Sequence, residues 1–226
     1  MLNGASARRT QILLLDDHPI IRFGFVALLS PLDSGFVFHE ADTGREALLL
    51  AERHLPDLAV VDLSLAGALS FDLIKRLRRV SPSMKVLVVS MHDEKLYAER
   101  ALRAGARGYL MKHLAAKAIP DAVRQVLDGK IWLSDGIRDA LVSKVADGLD
   151  HPDKFSLLSD REVAVYAMIG QGMKKGDIAN ALSLSPNTIE TYRTNIKQKM
   201  GIATGPELYR SAFLHFANSA ESHGQK

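Results

Sequence analysis

Five short apolar runs, separated by stretches with helical spacing, constrain this chain more than any other feature. The runs fall at residues 12–15, 36–38, 58–61, 86–89 and 109–111. After the first, Ile21, Phe25, Leu28 and Leu29 recur at i, i+4, i+7 and i+8, behind a Pro19 suited to a first helical turn. Leu73, Ile74 and Leu77 make a second stripe. Leu96 and Leu102 stand among alanines, and Ile119, Val123, Val126 and Leu127 make a last one. Strands that are apolar without alternation are covered on both faces, and repeated β–α units of this kind imply a parallel sheet. The expected fold of residues 11–130 is therefore an α/β doubly wound (βα)5 sheet.

Ligands of such sheets sit beyond the carboxyl ends of the strands, and right-handed crossovers bring those ends to one rim. QILLLDD ends in Asp16 and Asp17, LAVVD in Asp62, KVLVVS in Ser90 and GYLMK in Lys112. Adjacent carboxylates repel, and burial raises the cost of their charge. A hard divalent cation such as Mg2+ prefers oxygen ligands and keeps waters; held between Asp17 and Asp62 it relieves that repulsion. It also brings a phosphoryl donor to Asp62, and carboxylates can attack phosphorus to form aspartyl-phosphates. Lys112 offsets the phosphoryl charge and Ser90 can donate to one of its oxygens. Taken singly these residues read as turn, cap or solvated positions; converging from four strand exits they read as a site.

The C-terminal segment carries an independent signal. SDRE, from Ser159 to Glu162, is a capping box, and its helix stops near Gly170 and Gly172. A short helix bearing Ile178, Ala179 and Leu182 follows, then the turn Ser183, Leu184, Ser185. SPNTIETYRTNIKQKMG opens with a Ser cap and Pro at the first helical position and closes at Gly201. Two helices joined by a tight turn suit a helix-turn-helix, whose second helix enters the major groove. On that helix Ile189, Tyr192, Ile196 and Met200 form a packing stripe. Asn187, Thr188, Glu190, Thr191, Thr194 and Gln198 offer polar groups to base edges, while Arg193, Lys197 and Lys199 suit phosphate contacts.

LLDDHP, VVDLSLAG, VVSMHDE and AGARGYLMK resemble the receiver domain of two-component response regulators. LSDREVAVYAMIGQGMKKGDIANALSLSPNTIETYRTNIKQKMGI resembles the LuxR-type DNA-binding domain, an all-α four-helix unit. Together they resemble the NarL/FixJ family over residues 10–216. The resemblance implies that Asp62 is the phosphoacceptor and that Asp16, Asp17 and Asp62, with the backbone carbonyl of Ser64, hold Mg2+ or Mn2+, Asp17 more directly than Asp16. It implies that Ser90 and Tyr109 are the switch pair, the hydroxyl moving to the phosphoryl group and the ring swinging inward. The partners implied are a sensor histidine kinase or phosphotransfer protein, double-stranded DNA with paired half-sites, and a second copy of the chain. Departures from the family pattern are Ala66 and Ser70 after the phosphoacceptor, Glu190 where many members have Lys, and Tyr192 where many have His. Pro120, in the last receiver helix, removes a backbone donor unless it lies in the first turn.

Composition adds exclusions. Zero cysteines remove disulfides and thiolate metal sites and fit a reducing cytosol, and the net charge of +3 permits a nucleic-acid partner without arguing for one. No apolar run approaches the roughly 20 residues that span a bilayer. RRTQILLLDD is too short and acidic for an export signal, so a cytoplasmic protein with no membrane partner is expected. The expected order is a disordered leader (1–10), the sheet domain (11–130), a partly helical linker (131–156) most mobile at 148–154, the DNA-binding domain (157–216), and a disordered tail (217–226). Two rivals remain. A phosphohydrolase with an aspartyl-phosphate commonly needs a second acid two residues on, where this chain has Ser64, and no glycine-rich phosphate loop is present. A regulator that binds DNA without phosphorylation, using its first domain for dimerisation or partner binding, is the closer one.

Overall fold

The computed structural model describes residues 8–65, 68–69, 71–146 and 154–220. Ala66, Ser70, most of the linker stretch 148–154, leader residues 1–7 and tail residues 221–226 lie outside the described residues. The chain divides into two compact units, the main change falling at residues 142–143, with 67–69 grouped with the second.

In the first unit, β1 (Gln11–Leu15), β2 (Val37–Ala41), β3 (Leu58–Asp62), β6 (Lys85–Ser90) and β7 (Gly108–Met111) form a parallel sheet. Its order is β2-β1-β3-β6-β7. Ser64–Leu65 and Ala68–Leu69 are the short strands β4 and β5. Helices α1 (Pro19–Leu29), α2 (Gly44–His54), α3 (Phe71–Val80), α4 (Glu94–Ala104) and α5 (Lys112–Leu127) complete the repeats. The central strands are buried almost throughout, as their unbroken apolar runs require. Local chemistry sets the helix ends: Thr43 Oγ1 accepts from the Glu46 amide, Asp93 caps α4, and Gly105, with φ 108°, ends it in the left-handed region.

Two features, in β2 and at Arg8 to Thr10, differ from the expectation, and the position of Pro120 is settled. Strand β2 begins one residue later than its apolar run and continues through His39 and Glu40. As an edge strand with one flank to solvent it tolerates polar residues. Pro120 lies inside α5 rather than in its first turn. The donor it removes faced the carbonyl of Ala116, an exposed residue that water can satisfy. Arg8 to Thr10, expected as leader, are engaged: Arg8 pairs with Asp57 at 3.2 Å, and the Thr10 carbonyl accepts from the Val37 amide at 2.9 Å.

The outer edge of β7 is covered by the start of the linker. The Trp132 amide donates to the Arg107 carbonyl at 3.0 Å, and the Tyr109 amide donates to the Trp132 carbonyl at 2.9 Å. This parallel bridge centres on Gly108. A Cβ there would lie 2.8 Å from Leu87 Cδ1 and 3.1 Å from the Trp132 carbonyl oxygen, so only glycine admits the segment this closely. Ser134 Oγ donates to Glu94 Oε1 at 2.6 Å, and helix α6 (Asp135–Ala146) follows.

The second unit contains a short 3-10 turn at Lys154–Leu157 and helices α7 (Asp160–Gly170), α8 (Lys175–Ala181), α9 (Pro186–Met200) and α10 (Gly205–Ala220). The capping box at Ser159 and Glu162 is formed, and Ser185 caps α9 through the Thr188 amide. Ser183, at φ 53°, makes the tight turn between α8 and α9. Helix α10 runs four residues past the boundary expected at 216. Among the described residues no helix is long and apolar enough to cross a membrane.

Candidate functional sites

Three of the strand exits meet around one ammonium. Lys112, the first residue of α5, reaches back across the rim so that its Nζ lies 2.8 Å from Asp62 Oδ2 and 2.7 Å from Asp16 Oδ2. Both carboxylates are buried, and Lys112 itself is largely enclosed. Burial pushes the Asp62 carboxyl above its ordinary range. Hydrogen bonds from Lys112 and the Ser64 amide oppose that push without cancelling it. Burial lowers the Lys112 ammonium, but its two carboxylate partners outweigh burial and hold it above its usual value. One cation thus serves two buried acids.

Asp17 points to the open side and is about one-third exposed. The sequence reading did not single out His18, whose Nδ1 lies 2.7 Å from Asp17 Oδ1 and 3.3 Å from Asp16 Oδ1. Its amide also donates to Asp16 Oδ1. Adjacency to two carboxylates was the available signal. Ligand atoms of Asp16, Asp17 and His18 fall within 4.8 Å of one another. The donor set fits a hard cation: Lys112 is shared between Asp16 and Asp62, and the Asp17 carboxylate lies beside Asp16 on the same oxygen-rich rim. Ser64, at the start of β4, turns its amide toward Asp62.

Ser90 is fully buried at the end of β6, where its Oγ accepts from the His92 amide at 3.0 Å. Tyr109 is buried as well, and its hydroxyl donates to the His92 carbonyl at 2.8 Å. Burial drives the Tyr109 phenol far upward, so it stays a neutral donor. The ring sits inward. His92 is pushed down, first by burial and then by the Lys112 charge.

In the second unit the face expected to meet DNA is exposed at Asn187, Glu190, Thr191, Thr194 and Gln198, while Ile189 and Ile196 are buried. Four other positions are engaged elsewhere or half-covered. Thr188 shares its hydroxyl with Ser185 at 2.8 Å, so it serves the cap. Arg193 pairs with Glu190 at 3.3 Å and lies over the Tyr209 ring, 5.2 Å from its centroid. Lys199 Nζ binds the buried Glu162 at 2.6 Å. Lys197 is half-buried and, among the described residues, enters no ion pair.

A phosphoacceptor-type rim on a parallel (βα)5 sheet, joined to a helix-turn-helix, defines a signal-receiving DNA-binding regulator. Comparison with known proteins agrees. Residues 12–124 match the family described as "Response regulator receiver domain", and residues 156–212 match "Bacterial regulatory proteins, luxR family". The response regulator GacA of Pseudomonas aeruginosa is 33% identical over 205 residues, covering 91% of this chain and 96% of the relative. The response regulator UvrY of Escherichia coli is 28% identical, covering 93% and 97%. RcsB of Salmonella enterica, solved bound to promoter rprA in the presence of phosphomimetic BeF3-, shares the fold with a TM-score of 0.58 at 21% identity, over 89% of this chain and 97% of that one. The chain belongs to the NarL/FixJ family: it is a two-component response regulator with a LuxR-type DNA-binding domain.

Proposed function

We propose that Asp62 accepts a phosphoryl group from a histidine kinase or phosphotransfer protein, and that the modified chain binds DNA as a homodimer on paired half-sites in the cytoplasm. The observation that carries this reading is the Lys112 ammonium held between Asp62 and Asp16. It marks Asp62 as a buried acid with a cation already aimed at one of its oxygens.

In the transfer, an Asp62 carboxylate oxygen forms a bond to phosphorus while the P–N bond of the donor imidazole breaks, and the imidazole takes up a proton. Lys112 stays beside the developing charge, and the Ser64 amide holds the other Asp62 oxygen in place. Asp16 and Asp17, with Asp62 and the Ser64 carbonyl, would hold Mg2+ or Mn2+, which supplies neutralisation of the phosphoryl oxygens. Ser90 turns its hydroxyl to the new phosphoryl group and gives up the His92 amide, which loosens the segment whose carbonyl also anchors Tyr109. That shifts an existing equilibrium rather than creating a new state. Exposed Ile20 and Phe23 on α1 offer apolar surface for a second copy. Asn187, Glu190, Thr191 and Thr194 face the bases. Lys197 faces phosphate, and Thr188, Arg193 and Lys199 contribute only as far as their internal partners release them.

Acetyl phosphate with Mg2+ is expected to label the wild-type chain stoichiometrically and to leave Asp62→Asn unlabelled. Persistent labelling of that variant contradicts the assignment. DNA affinity before and after acetyl phosphate treatment separates this reading from a regulator that binds DNA without phosphorylation.

A further inference from the structure

The recognition helix carries a carboxylate where it faces a polyanion. Glu190 Oε2 lies 3.3 Å from Arg193 Nη1, one turn along α9, and 3.8 Å from Lys175 Nζ, in the first turn of α8. Arg193 is the more tightly held: its side chain is 17% exposed, capped by the Tyr209 ring of α10. One carboxylate thus gathers a cation from each helix of the helix-turn-helix. Both cations lie beside the face that meets DNA, where each free positive charge adds salt-dependent, sequence-independent affinity.

We propose that Glu190 is a specificity-determining residue that acts as an internal competitor for phosphate. On a duplex lacking the recognised sequence, its carboxylate stays on Arg193 and Lys175, and those cations contribute little. On a site that presents a cytosine amino group to it, the carboxylate accepts from that group. Arg193 and Lys175 are then released to the backbone. A base-edge contact and two phosphate contacts become one linked event, so the residue that repels phosphate raises the ratio of specific to non-specific binding. The inference rests on α9 being the reading helix.

The test uses the full chain, a random-sequence duplex, and a duplex that the wild-type chain selects from a randomised library. Glu190→Gln keeps the shape and removes the charge. At low salt it is expected to bind the random duplex about three- to tenfold more tightly, with a log–log salt slope steeper by about 1 to 2, since each neutralised phosphate contributes about 0.9. Affinity for the selected duplex is unchanged or lower, so the specificity ratio falls. Adding Lys175→Gln to Glu190→Gln removes part of the gain, whereas Lys175→Gln alone changes random-duplex binding little. Because Glu190 is exposed, far-UV dichroism and the melting midpoint stay as in wild type. If Glu190→Gln leaves the random-duplex affinity and salt slope at wild-type values, the proposal is wrong, whether or not the selected duplex is lost. Failure of the underlying reading looks different: Thr194→Ala and Asn187→Ala would then leave selection of the duplex intact.

Discussion

Removing the Lys199 ammonium tests whether a residue that the sequence assigns to DNA instead holds the domain together. Glu162 is almost fully buried, and its Oε2 takes Lys199 Nζ and the Ser159 amide at 2.6 Å each. Breaking a buried ion pair by deleting one partner costs about 3–5 kcal/mol, because an uncompensated charge stays behind. Two facts lower that figure here: Lys199 is 38% exposed and so screened by solvent, and Glu162 keeps its capping amide. Lys199→Met is therefore expected to destabilise the second unit by about 2 kcal/mol. Urea titration of the full chain reads this in two channels. Trp132 is the only tryptophan and lies in the first unit, so its fluorescence midpoint should not move, while the far-UV signal of the second unit shifts to lower urea. The pH dependence carries a sign. Burial pushes the Glu162 carboxyl up, but Lys199 and Ser159 outweigh burial and hold it below its usual value. An acid lowered on folding contributes stability above its unfolded pKa, near 4.5, and loses it as pH falls through the lower folded value. In Lys199→Met that acid-side loss shrinks or reverses. If the variant keeps wild-type stability and loses only DNA affinity, Lys199 belongs to the DNA contacts and the reasoning fails.

Two further outcomes follow from the first unit. Gly108→Ala forces a Cβ against Leu87 and the Trp132 carbonyl and is expected to cost about 1–3 kcal/mol, as overpacking does, with a red-shifted Trp132 emission if the linker lifts from β7; unchanged fluorescence and stability would remove the close approach from the account. Mg2+ at a hundredfold excess over its Kd is expected to stabilise this unit by about 2.7 kcal/mol, reversed by EDTA and absent in Asp17→Asn; an equal shift in that variant would place the ion elsewhere.

The rim was legible in the sequence because a parallel sheet converts strand-end positions into spatial neighbours. Asp16 follows β1, Asp62 ends β3 and Lys112 begins α5, and the topology brings these three together. What periodicity does not encode is which partner a charge finds. Helical spacing put Arg193 and Lys199 beside the reading face, but Glu190 and Tyr209 hold one, and Glu162, 37 residues away, takes the other. Trp132 was legible only as linker, since a single backbone bridge leaves no pattern; Gly108 was its one trace. His18 was quoted beside the carboxylates, yet its contacts depend on how α1 begins.

The two units contain the same device with opposite consequences, and charge counting explains why. In each, a lysine from the far end of the domain reaches a buried carboxylate: Lys112 crosses 50 residues to Asp62, and Lys199 crosses 37 to Glu162. At Glu162 the account closes locally, with one negative charge, one positive charge and one backbone donor. Nothing more is drawn in, and the pair behaves as a strut. At the rim, three carboxylates, Asp16, Asp17 and Asp62, gather near one lysine, with the His18 ring beside Asp16 and Asp17. Burial above all keeps the Asp62 carboxyl above its ordinary range even with the lysine in place. The excess of acids over base is what a structural pair lacks and a cation-dependent site requires. Of the two lysine–carboxylate contacts, the one proposed as the phosphoacceptor site is thus the one where the acids outnumber the base.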